Sequence, residues 1–166
     1  MTDSPQPTGR LVPTDRGYDL ILTRTYRAAI DDVWASVTEP ERTARWFGAW
    51  RGDAGPGKAI EVRMAFEEGA PRMEVTVDAC EPPRRLAVSM DDPSGAWPME
   101  LLLTENGDGT VELRLVHHRP DAEGLGSIGP GWEYYLDMLT ASRESTPPPA
   151  FDAYYPAQKG YFEALA

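Results

Sequence analysis

The fold is decided by a stretch that begins at residue 60 and reads IEVRMAF, residues 60–66. Apolar side chains alternate along it with polar or small ones: Ile60, Val62, Met64 and Phe66 against Glu61, Arg63 and Ala65. Successive side chains of a β-strand point to opposite faces, so this alternation predicts a strand with one apolar face.

The same two-residue period recurs four times further along the chain. It is found in residues 73–79, 86–90, 97–103 and 111–117, and residues typical of turns separate these runs. The five runs together predict an antiparallel meander whose apolar face needs a cover. A further strand is predicted at residues 18–26, which are rich in β-branched and aromatic side chains.

The predicted cover is a C-terminal helix. Apolar side chains recur at helical spacing at Trp132, Tyr135, Leu136 and Leu139. We expect the helix to span about residues 131–144, a length of about 21 Å at 1.5 Å per residue.

Two short helices are predicted between the first strand and the meander. Asp31 is placed to cap the first, and residues 38–41 have the spacing of a capping box for the second, which Gly48 ends. The expected fold is therefore α+β, in the order strand, two helices, five strands, helix. In this expected fold, a curved six-stranded antiparallel sheet wraps around the last helix.

The two ends of the chain have their own composition. Residues 1–17 are rich in Pro, Thr, Ser and Gly and are expected to form a flexible arm before one domain at residues 18–166. Within that domain, residues 145–166 form a proline-rich and aromatic extension, in which Pro156 is placed to start a short helix. This tail either closes the protein's own cavity or contacts a partner subunit, so monomer and homodimer both remain open.

Composition excludes several classes of partner. The 166 residues carry 27 acidic and 16 basic side chains, a formal charge of −11, which argues against nucleic acid and anionic membranes. No run of about 18 apolar residues and no signal peptide is present, so a cytoplasmic protein is expected. Residues 91–146 hold 11 acidic and three basic side chains, which indicates a solvated face or a surface for a basic partner.

Three segments resemble a known family. Residues 23–26, 30–34 and 38–47, which end in Arg45-Trp46-Phe47, resemble the opening signature of the START-like (SRPBCC) superfamily. Within it, the branch named for the activator of the heat-shock-protein-90 ATPase is the most similar, and residues 131–136 are similar to the start of its C-terminal helix. The resemblance covers roughly residues 18–144.

The resemblance implies a helix-grip fold of the birch-pollen-allergen type, with a hydrophobic cavity under the long helix. Relatives bind lipids, sterols, polyketides or plant hormones, and some are cyclases or dehydratases. The short predicted helix departs from the family pattern, so the aromatic tail is expected to alter the mouth of the cavity.

Reactive side chains are few. His117 and His118 are adjacent on a predicted strand and point to opposite faces, so they are not expected to chelate one metal ion. His117 shares the apolar face and is either a core-edge histidine or the polar anchor of a ligand. Cys80 falls on the polar face by parity, and no nucleophile signature surrounds it. No metal site, cofactor or catalytic residue is expected.

The leading hypothesis is a small binding protein that holds an apolar or amphipathic molecule between sheet and helix. The expected ligand-binding residues are Trp46, Phe66, Trp97, Met99, Leu113, Leu115, His117, Trp132 and Leu136. The alternatives are a cyclase or hydrolase-like enzyme that uses His117, and a chaperone-activating interaction protein, which only the branch name implies.

Overall fold

Eight strands form one antiparallel sheet in the computed structural model, which describes residues 5–92 and 95–166. The strands are β1 (Arg10–Thr14), β2 (Gly17–Arg27), β3 (Ala49–Arg51), β4 (Ala59–Arg63), β5 (Arg72–Glu81), β6 (Arg85–Asp92), β7 (Gly95–Glu105) and β8 (Thr110–Arg119). The helices are α1 (Ile30–Thr38), α2 (Pro40–Thr43), α3 (Leu125–Glu144) and α4 (Lys159–Glu163), with a 3-10 turn at Phe151–Ala153. The order of the strands in the sheet is β1-β2-β8-β7-β6-β5-β4-β3.

The five-strand meander is confirmed as β4 to β8, and the predicted first strand is β2. β2 pairs antiparallel with β8, so the first long strand of the chain lies beside the last one, with Leu20 opposite His117. The apolar face of this sheet packs against α1 and α3, which confirms the α+β helix-grip fold.

The expectation of six strands is wrong, because β1 and β3 add one strand at each edge of the sheet. β1 lies within the segment expected to be a flexible arm and pairs with β2 from Arg10 to Thr14. An edge strand tolerates Pro13, whose missing N–H weakened the sequence signal. β3 has three residues, too few to show a period.

The two short helices begin and end differently from the prediction. α1 begins after Ala29, and Asp31 lies in its first turn rather than at its cap. The Thr38 hydroxyl donates to the carbonyl of Trp34 in α1 and does not cap α2, so the predicted capping box is not formed. α2 ends at Thr43, before the predicted end at Gly48. Residues 44–47 form turns.

The long helix begins six residues earlier than predicted. α3 has 20 residues and contains Gly126, Gly129 and Pro130, which are poor helix formers and hid its first turns from the sequence pattern. A Cβ built on Gly129 would lie 2.3 Å from the Phe162 ring, so close packing of the tail requires glycine there. The helix ends at Glu144 as expected, with Ser145 in the left-handed conformation.

The aromatic tail packs on α3 of its own chain. Tyr154 and Phe162 are fully buried, and the short helix begins at Lys159 rather than at Pro156. The Tyr161 hydroxyl donates to the carbonyl of Gly9 over 2.8 Å, so the tail also holds the N-terminal segment. Within the described residues, no helix is long and apolar enough to cross a bilayer.

Candidate functional site

An inner cavity of about 160 Å³ lies between the concave face of the sheet and α3. Its walls come from α1, α2, the α2–β3 turn, strands β3 to β8 and α3. The main apolar side chains in the walls are Val37, Trp46, Trp50, Ile60, Val62, Val75, Val77, Leu86, Val88, Met90, Met99, Leu101, Leu115, Trp132 and Leu136. Such a surface favours an apolar occupant.

Three tryptophans in these walls already use their only hydrogen-bond donor. Trp46 and Trp50 donate their indole N–H groups to backbone carbonyls of α1, each over 2.8 Å. Trp132 donates to Nδ1 of His117 over 3.2 Å. Because an indole has no other donor, these rings offer only carbon and π surface to a molecule in the cavity.

An outer cavity of about 340 Å³ lies between the β4–β5 loop, residues 64–71, and the first half of α3. Its lining is more polar and includes Glu67 and Ser127. The two cavities share one wall, made of Phe47, Met90, Trp132 and Tyr135. A molecule that spans both cavities must pass these four side chains.

Tyr135 ties the β4–β5 loop to α3 at this shared wall. Its hydroxyl donates to Oε2 of Glu67 over 2.7 Å, and its ring lies edge-on to Phe47 with 5.1 Å between ring centres. Burial and the neighbouring carboxylate raise the pKa of Tyr135 above its usual value, so the hydroxyl keeps its proton. The tyrosine therefore acts as a protonated hydrogen-bond donor at the boundary.

His117 lies behind the wall rather than in it. Its ring is fully buried on β8, stacked on Trp97 at 4.9 Å between centres and edge-on to Trp132 at 6.0 Å. Burial, with the charges of Arg119 and His118, lowers the pKa of His117 to about 3. The ring is therefore neutral near pH 7 and, among the described residues, its Nε2 has no hydrogen-bond partner.

The expected ligand-binding residues separate into four groups in the structure. Trp46, Met99, Leu115 and Leu136 line the inner cavity, Trp97 lines the outer one, Trp132 lines both, and Leu113, His117 and Phe66 line neither. Leu113 is fully buried in the core beside β2. Phe66 is 40 % exposed on the β4–β5 loop. β4 ends at Arg63, so the apolar–polar alternation of the sequence extends beyond the strand and does not place Phe66 on its buried face.

Sequence reasoning did not select Tyr135, Glu67 or Phe47 as lining residues. Tyr135 belongs to the apolar stripe of α3, and that stripe was the one available signal for it. Glu67 lies in a turn, where a carboxylate is ordinary, and its contact with Tyr135 joins positions 68 residues apart. No local pattern reports such a contact.

Cys80 lines the inner cavity, although parity placed it on the polar face. A β-bulge between Val77 and Ala79 shifts the register of β5 against β6 and reverses the alternation beyond it. Cys80 is consequently paired with Leu86, which also lines the inner cavity.

His118 lies on the opposite face of the sheet from His117, as predicted. Its Nδ1 is 2.7 Å from Oδ1 of Asp19 and its Nε2 is 2.8 Å from Oε2 of Glu100. Burial opposes the charge on this ring, but the two carboxylates raise the pKa of His118 overall. No group of three or more His, Cys, Asp or Glu side chains within residues 5–92 and 95–166 is placed to hold a metal ion.

A comparison with protein families finds a match over most of the chain. The family model described as Activator of Hsp90 ATPase homolog 1-like protein matches residues 27–144, which include α1, the whole meander and α3. None of the curated proteins matches the chain.

Solved structures of similar fold come from several bacteria. CalU16 from Micromonospora echinospora is 28% identical, with a TM-score of 0.77 over 96% of both chains. The BPP1335 protein of Bordetella parapertussis is 23% identical, with a TM-score of 0.74 over 99% of this chain and 96% of that one. DynU16, a protein of the dynemicin biosynthetic locus, is 23% identical, with a TM-score of 0.68 over 83% of this chain and 50% of its own.

Proposed function

The chain belongs to the Activator of Hsp90 ATPase homolog 1-like family, and we propose that it is a binding protein for an apolar small molecule held between the sheet and α3. The observation that carries this proposal is the inner cavity. Its walls are almost entirely apolar, and the N–H groups of Trp46, Trp50 and Trp132 are all bonded within the protein. An occupant would gain chiefly from leaving water.

The size of the site supports an occupant that extends through both cavities. Pockets that bury small molecules usually measure about 300–1,000 Å³. The inner cavity is about 160 Å³ and the outer about 340 Å³, with Tyr135 and Trp132 between them. A ligand with a slender apolar part fits the inner space, and its remainder fits the outer one.

Binding has more support than catalysis. The enzymatic alternative relies on His117 as an acid or base, and a general base must come within about 3 Å of the proton that it takes. His117 lines neither cavity, and its Nδ1 already accepts the Trp132 N–H. The chaperone-activating alternative rests on the description of the family alone.

A titration with decan-1-ol, a neutral and slender apolar probe, tests the proposal. We expect saturable binding of one molecule per chain, seen by native mass spectrometry and by a change in tryptophan fluorescence, since three tryptophans lie in the inner wall. Val88→Phe places a larger side chain in the inner cavity and should weaken binding about tenfold or more.

The matched control is Val12→Phe, the same substitution at an exposed position on the edge strand β1. It should leave the affinity unchanged. Thermal unfolding checks that both variants fold. If Val88→Phe does not fold, Val88→Ile replaces it, because isoleucine is only one methylene larger than valine. Absence of binding, or equal affinity in the wild type and the folded Val88 variant, would overturn the proposal.

A further inference from the structure

The outer cavity differs from the inner one in its charge. Among the described residues that line it, Glu67 is the only one with a charged side chain. Its side chain is exposed and its Oε2 accepts the Tyr135 hydroxyl, and none of the ion pairs within the described part of the chain includes it. An unpaired carboxylate at the edge of an apolar space favours a cationic group there.

Aromatic rings surround the same space. Phe47, Trp132 and Tyr135 all line the outer cavity together with Glu67. A ring attracts a cation that lies within about 6 Å of its centre, and several rings around one ammonium group are a recurring arrangement for recognising amines. The ring surfaces and the carboxylate therefore favour the same kind of guest.

Trp97 is the ring in this lining that is least available to a guest. The Arg119 guanidinium lies 5.8 Å from its ring centre, and the His117 ring stacks on it at 4.9 Å. Arg119 does not line the outer cavity. The cation-binding surface is therefore the side formed by α3 and the β4–β5 loop, where Glu67 and Tyr135 meet.

We propose that the outer cavity binds the cationic amine end of an amphipathic ligand whose apolar part enters the inner cavity. This rests on the proposed function, which concerns the apolar part alone. The ammonium group would pair with Glu67 and lie against the rings of Phe47, Trp132 and Tyr135, while Tyr135 keeps its proton and its bond to the carboxylate. The net charge of −11 would favour the approach of such a cation over an anion.

Three ten-carbon probes with different head groups separate this inference from general apolar binding. Decylammonium, decan-1-ol and decanoate are titrated below their micellar concentrations and followed by tryptophan fluorescence. We expect the wild type to bind decylammonium about tenfold more tightly than decan-1-ol, and decanoate most weakly. Glu67→Gln should weaken the binding of decylammonium and so remove most of the preference for the amine, with the affinity of the same variant for decan-1-ol as the reference.

Glu68→Gln is the matched control, because it removes the same charge from the adjacent residue, which is also exposed but does not line the cavity. It should keep the amine preference. The inference is overturned if the wild type shows no preference among the head groups, if the preference survives Glu67→Gln, or if Glu68→Gln abolishes it equally. Failure of all three probes to bind would instead overturn the proposed function, and this inference with it.

Discussion

The indole N–H of Trp132 donates to Nδ1 of His117 over 3.2 Å, inside the core. Because Nδ1 accepts this bond, the neutral ring carries its proton on Nε2. The bond fixes the orientation of the one tryptophan that lines both cavities. His117 is therefore a positioning residue, which acts on the site through Trp132.

This arrangement predicts a loss of stability in acid. The folded protein holds His117 with a pKa of about 3, against about 6.5 in the unfolded chain, so the unfolded state binds the proton first as the pH falls. Stability from this residue is complete above pH 6.5 and is lost progressively toward pH 3, by up to about 4 kcal/mol. Urea unfolding at several pH values measures it.

The control for this effect is His117→Gln, whose amide oxygen can still accept the Trp132 N–H but does not titrate. Carboxylates titrate in both proteins, so the difference between them isolates the histidine. We expect the wild type to lose more free energy of unfolding than the variant between about pH 6.5 and 4. If the free energies of unfolding of the two proteins change in parallel with pH, His117 is not buried and neutral in the folded state.

His118 predicts the opposite dependence at higher pH. Asp19 and Glu100 raise its pKa above the usual 6.5, so its stabilising effect is present below pH 6.5 and is lost as the pH rises through the folded pKa. The ring is 40 % exposed, so water screens the pair and we expect less than about 1 kcal/mol. Thermal unfolding from about pH 6 to 9 should show a decline that His118→Gln lacks. An equal decline in thermal stability in the wild type and in His118→Gln would refute this role of His118.

Two glycines of α3 predict opposite effects of the same substitution. Gly129→Ala would place a methyl group 2.3 Å from the Phe162 ring and should lower the free energy of unfolding by about 2 kcal/mol. Among the described residues, no atom outside the neighbouring helix backbone lies within 4 Å of a Cβ built on Gly131. Gly131→Ala should therefore raise the free energy of unfolding by up to about 1 kcal/mol through helix propensity. Urea unfolding compares the two. Equal effects would mean that the tail does not pack on Gly129.

The buried carboxylate of Glu133 predicts a large cost for removing its partner. Glu133 is 1 % exposed and accepts hydrogen bonds from Arg24, from the Thr8 hydroxyl and from the backbone N–H groups of Thr8 and Gly9. Arg24→Ala would leave this charge without its ion pair and should cost about 3–5 kcal/mol.

A matched exposed pair provides the comparison for Arg24. Arg51 lies 2.7 Å from Glu61, with both side chains well exposed, and Arg51→Ala should cost less than about 1 kcal/mol. Chemical denaturation of both variants measures the difference. If the two substitutions cost the same, Glu133 is solvated in solution and the N-terminal segment does not cover it.

The sheet could be predicted because its signal is local. The two-residue period from residue 60 to residue 117 requires only that one face be buried, and β4 to β8 follow it. Residues 125–130 could not be read as helix, since Gly126, Gly129 and Pro130 are poor helix formers. A Cβ at Gly126 or Gly129 would meet side chains of the tail, so these two positions pack closely against it. Those contacts depend on residues more than 30 positions away.

The site could be predicted only in part, for a similar reason. Residues on long regular elements, such as Met99 and Leu136, could be assigned to the face of the sheet or helix that lines the cavity. Glu67 lies in a loop, and its place at the cavity depends on its bond to Tyr135. Cys80 follows a β-bulge, which reverses the alternation on which its assignment rested.

The position of Cys80 predicts that an occupant of the inner cavity protects its thiol. It is the one cysteine of the chain, so modification by N-ethylmaleimide reports on this position alone. Saturating decan-1-ol should slow the modification about tenfold or more, because the probe and the reagent would compete for the same apolar space. Mass spectrometry of the intact protein follows the rate.

Free glutathione, treated with the same reagent and the same concentration of decan-1-ol, controls for an effect on the reagent itself. Val88→Phe, which fills part of the cavity, should bind the probe weakly and therefore show little protection by it. Protection of the wild type without protection of the variant would locate the probe beside Cys80. An unchanged rate in the wild type at saturating decan-1-ol would place the bound probe outside the inner cavity.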